Sequence, residues 1–151
     1  RKRMKFEKDM KEWNMFGELY ALLKKCTMEQ MSQKKLWALC VEFGQKYSEE
    51  GDFDSLSYQL ACDLYSYSLF DNRTCSLTFK NDSEEKKMFT TFYKLCQKYW
   101  TRQTETEDAY WNGCVKELSE FENRFSTING EPFALSQAWA ITVIEHWNKK
   151  N

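Results

Sequence analysis

The chain holds one histidine, His146, and it stands beside Glu145 near the C-terminus, in what reads as the last helix. Adjacent residues point to different sides of a helix, so this pair makes no chelating face. An exposed imidazole near a helix C-terminus, where positive charge is favoured, is the expected role. The six cysteines, Cys26, Cys40, Cys62, Cys75, Cys96 and Cys114, lie 13 to 22 residues apart, with no Cys-x-x-Cys, and no His-x-x-x-His or Glu-x-x-His accompanies them. That spacing gives no zinc or di-iron signal, and five of the six fall in apolar helical patterns that buried free thiols commonly occupy. Carboxylate pairs occur at Glu49-Glu50, Glu84-Glu85, Glu105 with Glu107-Asp108, and Glu120 with Glu122. Paired carboxylates suit acid–base chemistry, but acids in the first turn of a helix also complement its dipole, and that reading suffices for most of these. Five scattered glycines build no phosphate-cradling loop. No catalytic, metal or cofactor site is expected.

Aromatic residues are the remaining candidates. Six Trp accompany eight Tyr and eleven Phe, and Trp and Tyr dominate the energetics of protein interfaces. Trp37 and Trp111 occupy matched places in an internal repeat described below and are expected in the core. Trp13, Trp100 and Trp147 lie near helix ends without matched partners, which makes them the candidate interaction surface. Basic residues between Arg1 and Lys11, with Lys149 and Lys150 at the other end, suggest an electrostatic footprint for nucleic acid. Glu7, Asp9 and Glu12 dilute it, and no nucleic-acid-binding motif accompanies it.

The elements that must position these residues are helical. Of 151 residues only five are Gly and one is Pro, too few for the turns of an all-β chain. With 22 basic against 23 acidic side chains, the net charge of −1 demands neither nucleic acid nor membrane as partner. No apolar run is long enough to span a membrane. The chain begins at Arg1, which leaves a removed signal segment open, and Asn72-Arg73-Thr74 and Asn81-Asp82-Ser83 satisfy the glycosylation pattern. Reduced thiols in a cytoplasmic protein are nevertheless the expectation.

Sliding the first half along the second reveals three blocks of matches. Met15-Phe16, Tyr20, Leu22 and Lys25 recur 73 positions later as Met88-Phe89, Tyr93, Leu95 and Lys98. Trp37-x-x-Cys40-Val41 recurs 74 positions later as Trp111-x-x-Cys114-Val115, and Leu56-Ser57 with Ala61 recurs 79 positions later as Leu135-Ser136 with Ala140. The offset grows only between blocks, where loops tolerate insertion. The fold class expected is therefore all-α: a single domain over 1–151, a bundle of about six helices formed by two diverged copies of a three-helix unit. Unit one spans 11–70, a linker 71–83, and unit two 84–148.

Helix starts are read at Thr27-x-x-Gln30, Asp82-x-x-Glu85 and Thr104-x-x-Glu107, each able to close a capping box. Polar loops are read over 48–52 and 126–131, Pro132 in the first turn of a helix, and 75–79 as a short extended piece. In the second half, Phe92-Tyr93 through Trp100, Asp108-Ala109-Tyr110-Trp111 and a helix ending near Phe125 resemble small, functionally uncharacterised helical proteins of gut Firmicutes, often carried by phages or conjugative elements. That resemblance implies a bacterial cytoplasmic accessory protein and assigns no functional residue.

Three functions remain open on these grounds. The leading one is a non-enzymatic protein-interaction or regulatory module with a protein partner or a second copy of itself. A nucleic-acid-associated accessory protein and an enzyme without a recognisable motif are the alternatives.

Overall fold

Between Lys11 and Met28 apolar residues return every three or four positions, and the computed structural model of the protein coils this stretch into α1 (Lys11–Met28), burying Met15, Phe16, Leu19, Leu22, Leu23 and Cys26. The structure describes residues 5–29, 31–50, 56–70, 83–128 and 130–150. Five further helices follow: α2 (Gln33–Glu50), α3 (Leu56–Phe70), α4 (Glu84–Tyr99), α5 (Glu107–Arg124) and α6 (Leu135–Lys150). The one strand pairing among the described residues is a two-residue antiparallel ladder, β1 (Thr127–Ile128) with β2 (Glu131–Pro132). The architecture of the described residues is thus all-helical in substance, with six helices where about six are expected.

The helix starts are corrected by one to five residues. Thr27 is inside α1, and its hydroxyl donates to the Leu23 carbonyl at 2.8 Å, a bond to the preceding turn that Thr makes within helices. The hydroxyl of Ser32 does the capping for α2, accepting from the Lys35 amide at 3.2 Å. For α4 the cap is Ser83, which accepts from Lys86 N, and for α5 it is Thr106, which accepts from Ala109 N. Gln30 and Asp82 lie outside the described residues, as do 51–55 and all of the expected linker except Ser83; the extended piece read at 75–79, Cys75 and both glycosylation asparagines fall among them.

The loops read over 48–52 and 126–131 are also partly corrected. Ser48 belongs to α2. Pro132 is not in a helix: it stands in β2, opposite Thr127. Gly130, at φ 84°, supplies the left-handed residue of that tight turn, and the Phe133 amide closes it on the Ser126 carbonyl at 2.8 Å.

Each run of three helices packs on itself, α1 against α2 and α3, α5 against α4 and α6, and the two runs meet chiefly along α3 and α6. At that seam the Trp139 indole donates to the Leu60 carbonyl at 3.1 Å, and the Thr142 hydroxyl to Asp63 Oδ2 at 2.6 Å. Aromatic rings close a second contact between α1 and α4: Phe16 lies 5.5 Å from Tyr93, and Tyr20 5.1 Å from Phe89. Phe6, ahead of α1, inserts beside Phe16, Tyr93 and Trp100 and is held there by its amide, which donates to buried Gln97 Oε1 at 2.9 Å. One contiguous apolar core results.

Candidate functional site: an open cleft between α1 and α2

Of the three tryptophans expected on an interaction surface, the structure leaves one outside. Trp13 is 40% exposed on the first turn of α1. Trp100 and Trp147 are buried, at 3% and 0% exposure, and this corrects the expected surface. Trp100 fills the gap between the Phe6 segment and α6, with Phe6 and His146 rings 5.5 and 5.3 Å away. Trp147 packs on Tyr99 at 5.9 Å. A position near a helix end does not imply exposure when a neighbouring segment folds over that end. His146, expected in solvent, is half-buried against Trp100 for the same reason.

The matched tryptophans are corrected in the opposite sense. Trp37 is 46% exposed and rests on the ring of Tyr65, 4.9 Å away, while Trp111 is half-buried at the rim of the core. The inward stripe of α2 is Leu36, Cys40, Phe43 and Tyr47, and that of α5 is Tyr110, Cys114, Leu118 and Phe121. One residue further along, the helix has turned by about 100°, enough to carry an indole from the core to its edge.

Trp13 stands at the mouth of a cleft of about 580 Å³ between α1 and α2, lined with it by Lys11, Asn14, Gly17, Glu18, Lys46 and Tyr47. A second hollow of about 290 Å³ continues beyond Glu18 and Lys46 over Ala21, Leu22, Leu39 and Phe43, with Lys25 and Glu42 at its rim. The two share Glu18 and Lys46, so they form one groove spanned at its middle by the Lys46–Glu18 ion pair at 2.6 Å. Tyr47 supports that pair from below. Its hydroxyl is pushed up to about 12, first by burial and then by its hydrogen bond to the Glu18 carboxylate. Gly17 and Ala21, one turn apart, leave the α1 wall low, and a Cβ at Gly17 would touch nothing within 4 Å.

The sequence reading found Trp13 but missed the rest of the groove. The available signal was Gly17-x-x-x-Ala21, two small residues on one helical face next to an exposed Trp.

Groups with reactive potential lie elsewhere and are committed to structure. The five described cysteines carry no disulfide. Burial lifts Cys40 to about 12 and Cys96 well above the ordinary thiol range, disfavouring the thiolate that nucleophilic or redox chemistry needs. Glu84, Glu85, Glu107 and Asp108 occupy first helical turns, as read from sequence. Burial raises Glu122, and the Gln103 amide donates to Glu105 Oε1. Glu117 accepts from the Tyr99 hydroxyl and pairs with Lys98 at 2.9 Å, tying α5 to α4. Asp63, raised to about 6 by burial against the hydrogen bonds of Thr142 and Gln59, lies in the α3–α6 seam.

Among the described residues no cluster of His, Cys, Asp and Glu is arranged to hold a metal ion, and no helix is long and apolar enough to cross a membrane. The exposed basic side chains of the described N-terminal residues, Lys5, Lys8 and Lys11, alternate with exposed Glu7 and Asp9. No protein-family profile, curated protein or solved structure matches the chain.

Proposed function

We propose that this chain is a non-enzymatic protein-interaction module, made of two diverged copies of a three-helix unit, that receives its partner in the α1–α2 groove. The observation that carries this reading is the half-exposed indole of Trp13 at the mouth of an open cleft that continues over Leu22, Leu39 and Phe43. A large aromatic held on a rigid helix beside a hollow is what interface hot spots are made of.

Duplication is supported by how the matched residues meet. Phe16 and Tyr20 match Phe89 and Tyr93, and the contacts are reciprocal: Phe16 touches Tyr93 and Tyr20 touches Phe89. Leu60 meets its own counterpart Trp139, and Asp63 meets Thr142, both 79 positions apart. Reciprocal and self-matched contacts are the signature of a two-fold interface, here within one chain.

The test combines light scattering after size exclusion, at low and high salt, with a photo-crosslinking residue placed at Gly17 or, as control, at exposed Lys94. Adducts at position 17 alone, lost when Trp13→Ala is added, support the reading. A monomer with no adduct at either position overturns it. Co-eluting nucleic acid that high salt removes transfers the reading to a nucleic-acid accessory protein.

A further inference from the structure

The two matched halves provide an internal comparison for the groove. In α1 its apolar or small wall residues are Trp13, Gly17 and Ala21; the residues 73 positions on, in α4, are Lys86, Thr90 and Lys94. Gly17 and Ala21 are exposed, and so are Thr90 and Lys94, while exposed Trp13 is matched by half-buried Lys86. The same helix position in the same bundle is therefore filled with polar side chains in one half, and packing of the fold does not require an apolar wall in the other. Trp13, exposed beside two small residues, is thus an aromatic that packing does not use, and Trp is among the residues on which interface energies concentrate.

The shape of the groove selects the kind of partner. Its walls are two 18-residue helices, whose internal hydrogen bonds use up the backbone groups that an added strand would need. From Lys11 to Lys25 it runs about 21 Å, at 1.5 Å per residue, the length of a four-turn helix. Small residues spaced one turn apart on the wall let a third helix approach closely.

Charge selects further. The Lys46–Glu18 pair is internally neutral, and Lys25 is within 4.0 Å of Glu29. Lys11 at one end and Glu42 toward the other have no ionic partner among the described residues. Lys46 lies beside Glu18, so Glu42, one turn earlier in the antiparallel α2, is level with about residue 22 of α1, roughly eleven residues from Lys11. A second copy fits poorly. Lys11, Glu18 and Lys25 fall at seven-residue intervals on one face, and two-fold pairing of α1 with itself would set Lys11 against Lys25 and Glu18 against Glu18.

We propose that the α1–α2 groove receives one amphipathic helix of another protein, three to four turns long, whose apolar stripe covers Trp13, Gly17, Ala21 and Leu39 between an acidic residue at Lys11 and a basic residue at Glu42. Two residues about eleven apart lie on the same face of a helix, so one stripe accommodates both charges. This rests on the interaction reading above and names the occupant that reading leaves open.

The probe is a labelled synthetic helix of sixteen residues with a leucine stripe at i, i+3, i+4 and i+7 spacing, bracketed by a Glu and an Arg eleven apart. A second peptide carries Gln at both charged places. Binding is followed by fluorescence anisotropy on the full chain, with circular dichroism confirming that each variant is folded. Ala21→Lys, which installs the residue found at the matched place in α4, is expected to weaken the charged peptide about tenfold, and Lys11→Glu likewise. Lys11→Glu should leave the Gln peptide unaffected, which assigns its effect to the charge pair. The proposal is overturned if the charged peptide does not bind, if Ala21→Lys leaves its affinity unchanged, or if the chain dimerises and Ala21→Lys dissolves the dimer. Position-specific adducts at Gly17 together with a failed peptide would reject the helix and keep the interaction module; failure of both rejects both.

Discussion

Asp63 sits in the seam between α3 and α6, and the hydrogen bonds from Thr142 and Gln59 do not offset the burial of its carboxylate, which Glu145 nearby further disfavours. Its pKa rises from 3.8 to about 6. A carboxyl whose folded pKa exceeds its unfolded one binds more protons folded than unfolded between the two values, so stability falls as pH rises through that window. Below pH 4 there is no penalty; above pH 6 it is complete. Discounted for the partial exposure of the group, the penalty is about 1–2 kcal/mol. Asp63→Asn is therefore expected to be more stable than the parent at pH 7.5, with the difference shrinking by pH 4.5. Urea titrations of both proteins at the two pH values measure this, and a gap that does not change with pH would reject the assignment. The thiols make a separate prediction at this scale. Of the five described cysteines, Cys62 alone is half-exposed and the rest are buried. Brief alkylation of the native protein, mapped by peptide mass spectrometry, should modify Cys62 well before Cys26, Cys40, Cys96 or Cys114, which should react only on unfolding. Equal labelling of Cys62 and Cys96 would contradict the burial described.

The elements were legible in the sequence to the extent that periodicity carries them. Stripes stepping by threes and fours placed α1, α2, α4 and α5, because burying one face is a property of the whole helix and survives an error of a residue or two. What turned on a single residue was less legible. Trp37 and Trp111 are expected in the core because the repeat matches them, yet the structure sets Trp37 in solvent and Trp111 at the rim. Contacts between helices are not announced by any local pattern either: the Gly44 surface of α2 is covered by the Tyr58 ring of α3. Helix starts were misread because Ser, Thr and Asp followed three residues later by an acid or amide recur throughout polar segments, whereas only backbone geometry selects the residue that caps. The correction is testable. Thr106→Ala removes the oxygen that accepts from Ala109 N and should cost about 1 kcal/mol. Thr104→Ala, at the expected but unused position, should stay within about 0.5 kcal/mol of the parent. Thermal or denaturant unfolding of the two variants decides between them, and a larger loss for Thr104→Ala would restore the original reading.

At the scale of the molecule, the groove and the seam lie on different helices: α1 and α2 form the groove, while α3 and α6 join the two halves. The order of the blocks in the sequence was enough to anticipate three helices per half, but not which helix would meet which, since that depends on residues 79 positions apart coming face to face. Trp139 is the largest side chain in that seam, fully buried, hydrogen-bonded to Leu60 and stacked on Phe92 at 5.0 Å. Truncating it to Ala removes the indole from both halves at once, and with it the hydrogen bond to the Leu60 carbonyl, a combined loss of about 3–5 kcal/mol. If the two halves share one cooperative core, as their single contiguous apolar cluster implies, Trp139→Ala should lower amide-exchange protection in α1 and α2 as much as in α4 and α5, although it touches neither α1 nor α2 through the bonds named. Peptide-resolved hydrogen exchange separates the possibilities. Protection lost only in α4–α6 would mean that each run of three helices stands by itself and the seam is a docking contact; loss throughout would mean that the groove on α1 and α2 is held rigid by a residue of the seam that does not line it, and partner binding there should weaken in the same variant.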